Sequence, residues 1–454
     1  MSPTYISKTV IINALAFTKN EEVQIYTFLV NRFNNYSKKN NLNITVNLNL
    51  LSPANSTAES LDFFTSIDSY LRKKSTKYDI YFYENIYTTK FEPHFINLKE
   101  WLPKEHIDMF THVEKSESYF YNNKLVGLPA YLEHSIFYYN ERLLNKYNKT
   151  VPRTWDDMIE TGKYILDEEK KQNNTDLMGY SGGFIDDEIG TGGIYEFIYS
   201  FRDSIDDPLP EITSQNAVNA LKTMKRIKNE ISSDSIFKSL DYTIRILKNG
   251  NGLFIKFGHY NWVISSDYKI TILPGCKEGL SGSILGGYNI GISKYSDKEK
   301  LEASVVTLLY MTSKEEQRRV ITDFKKFSGI TSLYNDEIVC KLKELCEINK
   351  NVQPIGRPIS LTDDYNEYSE KFRHYVYKYL YGDDSVDPLE MLKKIDDLTR
   401  IHYISIYSKD SSIGIIITLS YIALSLIILS SSILLFIKKF KVCYVFMTKD
   451  FWIL

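Results

Sequence analysis

The amino-acid sequence predicts an α/β fold built on a parallel, doubly wound sheet. Two observations carry this: hydrophobic periods of two and of 3.6 alternate along the N-terminal region, and the composition, 43% hydrophobic and 25% charged, is that of a globular chain. Residues 10–16 form an apolar run that reads as a buried strand. Residues 21–35 read as a helix with Ile25, Phe28, Leu29 and Phe33 on one face, and residues 44–50 alternate Ile44, Val46, Leu48 and Leu50 with polar partners, as a strand does. A second helix follows over 58–74, with Phe63, Phe64, Ile67 and Leu71 inward, and then a strand over 78–83. The order βαβαβ is the start of a doubly wound sheet. In such sheets ligands bind outside the carboxyl ends of the strands, which puts Phe17, Thr18, Glu84 and Asn85 at the edge of a site.

Further along, Pro152 precedes Thr154 as an N-cap, with Asp156 and Asp157 in the first turn of a helix. Glycine clusters at 182–183, 190–193, 250–258 and 279–291 punctuate the rest, with no internal repeat and no low-complexity linker, as in tightly joined, hinged lobes. Residues 380–412 read as a short polar tether. At 454 residues the chain has room for two or three units. Its net charge of −2, without a basic block, argues against nucleic acid as a partner. The cysteines Cys276, Cys340, Cys346 and Cys443 make no CxxC pair and have no close histidine, so no structural zinc is expected. Cys340 and Cys346 can close a local bridge or stay free; both readings are open at this point. Tyrosine is abundant, at 35 residues, and its rigid ring with a hydroxyl packs well on sugar or peptide faces.

Residues 413–437 carry no charge. As a helix they span ~37 Å against a hydrocarbon core of ~30 Å, which predicts a transmembrane segment. Lys438, Lys439 and Lys441 follow it, while Lys409 and Asp410 before it cancel. This predicts a plasma-membrane protein with its N-terminal domain outside and its C-terminus in the cytoplasm. The first residues offer no signal peptide, so either the internal helix is the signal anchor or the first exon is missing, and the second is the expectation here. Asp450-Phe451-Trp452 reads as the opening of a further segment. Asn35, Asn43, Asn55, Asn148 and Asn173 stand in Asn-x-Ser/Thr sequons on the expected outer side.

Catalytic signatures are missing: there is no GxxxxGK[ST], HExxH or GxSxG string. His106 and His112 are a conceivable metal pair, but a solvated face suits them better. Asp186-Asp187-Glu188 reads as a solvated stretch of a glycine-rich loop. Spacing alone does not exclude a glycosidase carboxylate pair.

Several strings occur in an ordered series. Gly127-Leu128-Pro129, Glu133, Tyr138-Tyr139-Asn140-Glu141 and Val151-Pro152-Arg153-Thr154-Trp155-Asp156-Asp157 come first. Asn249-Gly250-Asn251-Gly252-Leu253-Phe254 with Trp262, Leu273-Pro274-Gly275, Gly286-Gly287-Tyr288-Asn289-Ile290-Gly291-Ile292 and Thr312-Ser313-Lys314-Glu315-Glu316-Gln317 follow. Together they resemble the family 1 extracellular solute-binding proteins, which include maltose and oligosaccharide receptors of bacterial importers. The resemblance covers about residues 8 to 400.

The resemblance implies a periplasmic-binding-protein-like class II fold: two doubly wound lobes, a hinge and an interlobe cleft, here followed by the C-terminal transmembrane helix. The implied boundaries are 1–131 for lobe 1 and 132–284 for lobe 2, with returns at 285–335 and 336–400, a juxtamembrane linker at 401–412, the membrane helix and a cytoplasmic loop over 438–454. Hinge strands are expected near 128–136 and 285–292, at the Pro129 break. By motif, Glu133 is the cleft carboxylate, Tyr260 and Trp262 the stacking pair, and Gly287, Tyr288 and Asn289 the second crossing. Tyr195 and Phe17 are weaker candidates. No catalytic residue, metal or cofactor is implied. The expected ligand is a small polar solute, a sugar or oligosaccharide, bound by lobe closure. Because a membrane helix follows the lobes, no importer partner follows from the resemblance. The C-terminus is similar instead to the start of a class C G-protein-coupled receptor bundle, with a heterotrimeric G protein as partner only if seven helices follow. The rivals are a surface capture protein or adhesin and a tethered glycoside hydrolase.

Overall fold

The computed structural model describes residues 9–18, 24–52, 55, 60–110, 116–259, 264–360, 364–410, 421–426 and 429–431. The chain divides into two compact units, Met1–Ser360 with Asp364–Asp396, and Leu361–Asp363 with Asp397–Leu454.

The first unit opens with β1 (Val10–Phe17), α1 (Ile25–Lys39), β2 (Ile44–Leu51), α2 (Ser60–Arg72) and β3 (Ile80–Glu84). β1 pairs in parallel with both β2 and β3. The pleat sends successive side chains to opposite faces. Ile12, Ala14 and Ile80 therefore pack with Leu29 and Phe33 of α1, while Leu15, Phe17 and Tyr81 pack with Phe63 and Ile67 of α2. Each leucine, isoleucine or phenylalanine among them contributes roughly 1.5–3 kcal/mol on burial, so the double winding follows from the alternation itself.

α3 (Thr88–Phe91), α4 (Lys104–Asp108) and a small hairpin, β4 (Phe120–Tyr121) and β5 (Lys124–Leu125), lead to β6 (Leu128–Glu133). Only His134 separates β6 from β7 (Ser135–Asn140), which belongs to a second sheet. The second lobe continues through α5 (Glu141–Lys146), α6 (Trp155–Lys171), β8 (Met178–Ser181), α7 (Glu188–Tyr199), α8 (Gln215–Ile231), α9 (Asp234–Phe237), α10 (Leu240–Asn249), β9 (Gly252–Gly258) and β10 (Tyr268–Thr271). β11 (Ser283–Ile284), Leu285 and β12 (Gly286–Ile292) form the return. Then come α11 (Lys298–Met311), α12 (Lys314–Phe324), α13 (Lys343–Asn351), β13 (Pro354–Ile355), α14 (Tyr365–Tyr381) and α15 (Pro388–Asp410).

The sheet orders are β2-β1-β3-β12-β6 and β10-β7-β9-β8. The first sheet is not wholly parallel, because β12 runs antiparallel to both β3 and β6. The chain leaves lobe 1 at the end of β6 and re-enters at the same edge, where Gly286 pairs with Glu133, so the returning strand must run the other way. In the second sheet β8 and β9 are parallel, and β7 and β10 antiparallel. Gly287 has φ +126°, and a Cβ there would lie 2.4 Å from the Tyr131 carbonyl oxygen, so the close crossing of the two strands requires glycine. Pro129 is accommodated where the register shifts between Tyr288 and Asn289, a place for a residue with no N–H.

Over residues 380–396 the chain is packed, where the sequence reads as a polar tether. Asp387 caps α15 through Leu389 and Glu390, and Met391, Leu392 and Ile395 are buried, so the segment begins as a packed helix. α15 also runs through 401–410, where a linker was expected. Cys340 and Cys346 are bonded to each other, while Cys276 is free. The five sequon asparagines are exposed. Of the expected membrane segment, residues 421–426 and 429–431 are described and helical, with Tyr421, Ile422, Leu424, Leu426 and Leu429 exposed. Among the described residues no helix is long and apolar enough to cross a membrane. The remainder of 413–437, and 438–454, lie outside the described residues.

Candidate functional site

A cavity of about 1360 Å³ lies between the two sheets, over the His134 and Ile284–Gly286 crossings, and is walled by both lobes. On the lobe 1 side, the first turn of α1 supplies Tyr26, α2 supplies Phe64, and the paired strands β6 and β12 supply Tyr131 and Tyr288 directly opposite one another. Their rings form a continuous face: centroids lie 5.6 Å apart for Tyr131–Tyr288, 6.0 Å for Tyr26–Tyr288 and 6.3 Å for Phe64–Tyr288. Tyr87 extends it, 4.4 Å from Phe64. Burial holds the Tyr26 and Tyr131 hydroxyls far above their ordinary pKa, so both stay protonated, 3.3 Å from each other.

The lobe 2 wall is charged. Asp187 caps α7 by accepting from the Ile189 N–H at 2.7 Å. Arg373 of α14 donates from Nε to Asp186 at 2.9 Å and from Nη1 to Thr191 and Ser369, which ties α14 to α7. Arg357, next to β13, donates to Glu188 at 2.6 Å and to the Leu285 carbonyl at 3.2 Å, and its Nη2 lies 3.7 Å from Glu84. Burial alone would lower its pKa; Glu188, Tyr365 and Glu84 raise it above the ordinary value, so the guanidinium is permanently charged. It touches lobe 1, lobe 2 and the crossing strand together. Lys256 pairs with Glu196 at 2.9 Å, both buried, where the bare backbone of Gly193 leaves room for the ammonium. At the crossing, burial lowers the His134 pKa to about 4, and burial with Lys326 nearby lowers that of His259 to about 4, so both rings are neutral near neutrality.

Of the residues expected at the site, Phe17, Thr18, Glu84, Glu133 and Tyr288 line the cavity, Glu133 paired with Lys326. Others sit behind the walls. The Asn85 side chain donates to the Leu285 carbonyl at 3.1 Å and Asn289 to the Ser118 carbonyl at 2.7 Å, both fully buried. Tyr195 stacks on Phe372 with its hydroxyl 2.5 Å from that of Tyr368, and Gly287 is held in the strand crossing. Tyr260 and Trp262 lie outside the described residues. The Asp186-Asp187-Glu188 stretch, expected to be merely solvated, is part of the wall because α14 supplies arginine to it. His106 bonds to Thr312 at 2.8 Å, and His112 lies outside the described residues. Among the described residues, no group of three or more His, Cys, Asp or Glu could hold a metal ion.

Sequence reasoning missed Tyr26, Phe64, Tyr87, Tyr131, Arg357 and Arg373 as cavity residues. Tyr131 was within reach, since it stands two residues before Glu133 on one strand and so faces the same side. Arg357 and Arg373 come from a distant return of the chain and carry no local signal.

A family model for bacterial extracellular solute-binding proteins matches residues 81–345. A probable ABC transporter-binding protein of Deinococcus radiodurans is 25% identical over 329 residues, which is 68% of this chain and 77% of the relative. Among solved structures, maltose-bound MalE3 of T. maritima superposes with a TM-score of 0.69 at 20% identity, covering 86% of this chain and 99% of its own. The GacH receptor of Streptomyces glaucescens, solved unliganded and with acarbose, gives 0.68 at 17% identity, covering 86% of this chain and 98% of its own. The fold is thus periplasmic-binding-protein-like class II, of mixed α/β type. The relatives lend no support to the receptor bundle and G-protein partner expected from the C-terminus, and one of them names the ABC transporter link that the sequence reading set aside.

Proposed function

The chain belongs to the family of bacterial extracellular solute-binding proteins, which bind their ligands rather than transform them, and on that premise we propose that its cleft takes a sugar or oligosaccharide and closes on it. The observation that carries this is the pairing of walls: a continuous face of Tyr26, Phe64, Tyr87, Tyr131 and Tyr288 opposite hydrogen-bonding side chains on α7 and α14. Aromatic faces suit the C–H faces of pyranose rings, and polar groups across the gap fix the orientation of hydroxyls. Single-strand crossings at His134 and Leu285 allow one lobe to rotate on the other. The relatives solved with maltose and with acarbose favour the same ligand class. Transfer of the captured solute to an ABC transporter is the destination the Deinococcus relative's name suggests.

In this reading the lobes work outside the plasma membrane, tethered by residues 413–437, with the C-terminus in the cytoplasm. The uncharged run, the lysines after it and the exposed apolar side chains at 421–429 support the tether. Protease added to intact cells should remove an N-terminal epitope and spare one placed after Leu454; the reverse pattern contradicts the orientation.

Thermal unfolding of the full chain in detergent, against sugars, oligosaccharides, amino acids and peptides, tests the ligand class. A ligand at one hundred times its Kd adds about 2.7 kcal/mol, a clear rise in midpoint. A rise confined to saccharides supports the proposal. A rise confined to amino acids or peptides contradicts it, and turnover of an oligosaccharide would replace it with the hydrolase.

A further inference from the structure

The charges that line the cleft are unevenly matched. Among the described residues that line the wall, every cation is already committed to a carboxylate: Arg357 to Glu188, Arg373 to Asp186, Lys256 to Glu196 and Lys326 to Glu133. Among the described residues, no cation of the wall is left to meet an acidic ligand. The α7 N-terminus would ordinarily attract an anion, but the Asp187 side chain closes it. Carboxylates outnumber cations in the wall, and two of them, Asp187 and Glu370, have no ion-pair partner among the described residues. Glu370 is exposed on α14, one residue from Ser369, which bonds Thr191 of α7 at 2.7 Å, so both carboxylates belong to one joined pair of helices.

The opposite wall is equally suited to positive charge. Aromatic faces attract cations through the ring quadrupole. This wall already takes one, since the Lys326 ammonium sits 5.4 Å from the centre of the Tyr131 ring. A ligand seated between the walls meets ring faces on one side and, on the other, two carboxylates with no ion-pair partner among the described residues.

We infer that the saccharide this cleft selects carries a cationic amine, an amino sugar rather than a neutral or acidic one. The inference rests on the reading of the cleft as a sugar site. The sugar ring stacks on Tyr131 and Tyr288 while its ammonium faces Asp187 and Glu370.

Calorimetric titration of the full chain in detergent with glucosamine, N-acetylglucosamine, glucose and glucuronate, each as monomer and as linked trimer, tests it, with spermidine as a sugar-free cation. The amine form should bind on the order of tenfold tighter than its acetylated counterpart, and salt should shrink that advantage. Asp187→Asn, which keeps the helix cap, combined with Glu370→Gln should abolish the preference while the unfolding midpoint holds. Equal affinity for acetylated or neutral sugars, or tighter binding of glucuronate, overturns the charge inference and leaves the sugar reading standing. Binding of spermidine without any saccharide, or of no probe by folded protein, overturns both.

Discussion

Lobe 1 offers the cleft ring faces held by strand pairing and helix packing, whereas lobe 2 offers charged side chains held largely by one another. Tyr131 and Tyr288 stand opposite because β6 and β12 are in register, and removing one ring leaves the strands paired. Arg357 and Arg373 are held by Glu188 and Asp186, and removing either carboxylate leaves a guanidinium charge in a poorly solvated place. The difference teaches that lobe 1 should tune affinity in small steps, while lobe 2 should couple affinity to stability.

The largest effect falls where the two walls meet. Arg357→Met strips Glu84 and Glu188 of their shared cation and the Leu285 carbonyl of a donor, which should cost about 3–5 kcal/mol, read as a lower urea midpoint at unchanged slope. A wild-type midpoint would break the contrast, because it would show the charged wall to be as replaceable as the aromatic one.

The hinge gives the next. The folded His134 pKa of about 4 lies below the ordinary 6.5, so its contribution is full above pH 6.5 and is lost as pH falls toward 4. The loss is about 3 kcal/mol for this one buried ring. Urea midpoints at pH 7, 5.5 and 4.5 should fall in that order, and His134→Gln should flatten the series; an equally steep series in the variant would locate the acid sensitivity elsewhere.

Asn140→Ala separates stitching from site. Its side chain caps α5 through the Leu143 N–H and donates to the Gly250 and Gly252 carbonyls, so the variant should lose about 2 kcal/mol of stability with Kd unchanged. The smallest effect is Tyr288→Leu, which keeps an apolar side chain on β12 and should weaken ligand binding by about 0.5–1.5 kcal/mol, with the unfolding midpoint barely moved. Unchanged affinity there would remove the aromatic wall from the site.

Those two variants also explain what the sequence made legible. The strings that carry the family resemblance are mostly stitching. Asn140 ties two carbonyls on the Gly250–Gly252 stretch, Trp155 donates to Ser200 and stacks on Phe197, and Gln317 bonds the Ala130 carbonyl and the Ser328 hydroxyl. Such contacts depend on backbone geometry, which many relatives share, and so the fold could be read from them. The β1 to β3 core was legible for the same reason, since the apolar runs of β1 and β3 are buried from Ala14 to Phe17 and from Ile80 to Tyr83, although Ile11 at the start of β1 is exposed. The cleft was legible only where strand ends or strand alternation reach it, at Phe17, Glu84, Glu133 and Tyr288. Asn85 and Asn289 were placed at the cleft by the same strand-end and crossing logic, yet each turns inward to a buried carbonyl. Arg357 and Arg373 could not be read, because their carboxylate partners Glu188 and Asp186 lie more than 160 residues away and only the folded return of the chain brings them together.

The central claim is that one ligand bridges both walls and draws the lobes together. Spin labels at Lys39→Cys on α1 and Asp167→Cys on α6, both exposed, report the interlobe distance by pulsed dipolar spectroscopy. Saturating ligand should shorten and narrow the distance distribution relative to the free chain. An unchanged distribution with ligand demonstrably bound would contradict closure and confine the ligand to one wall.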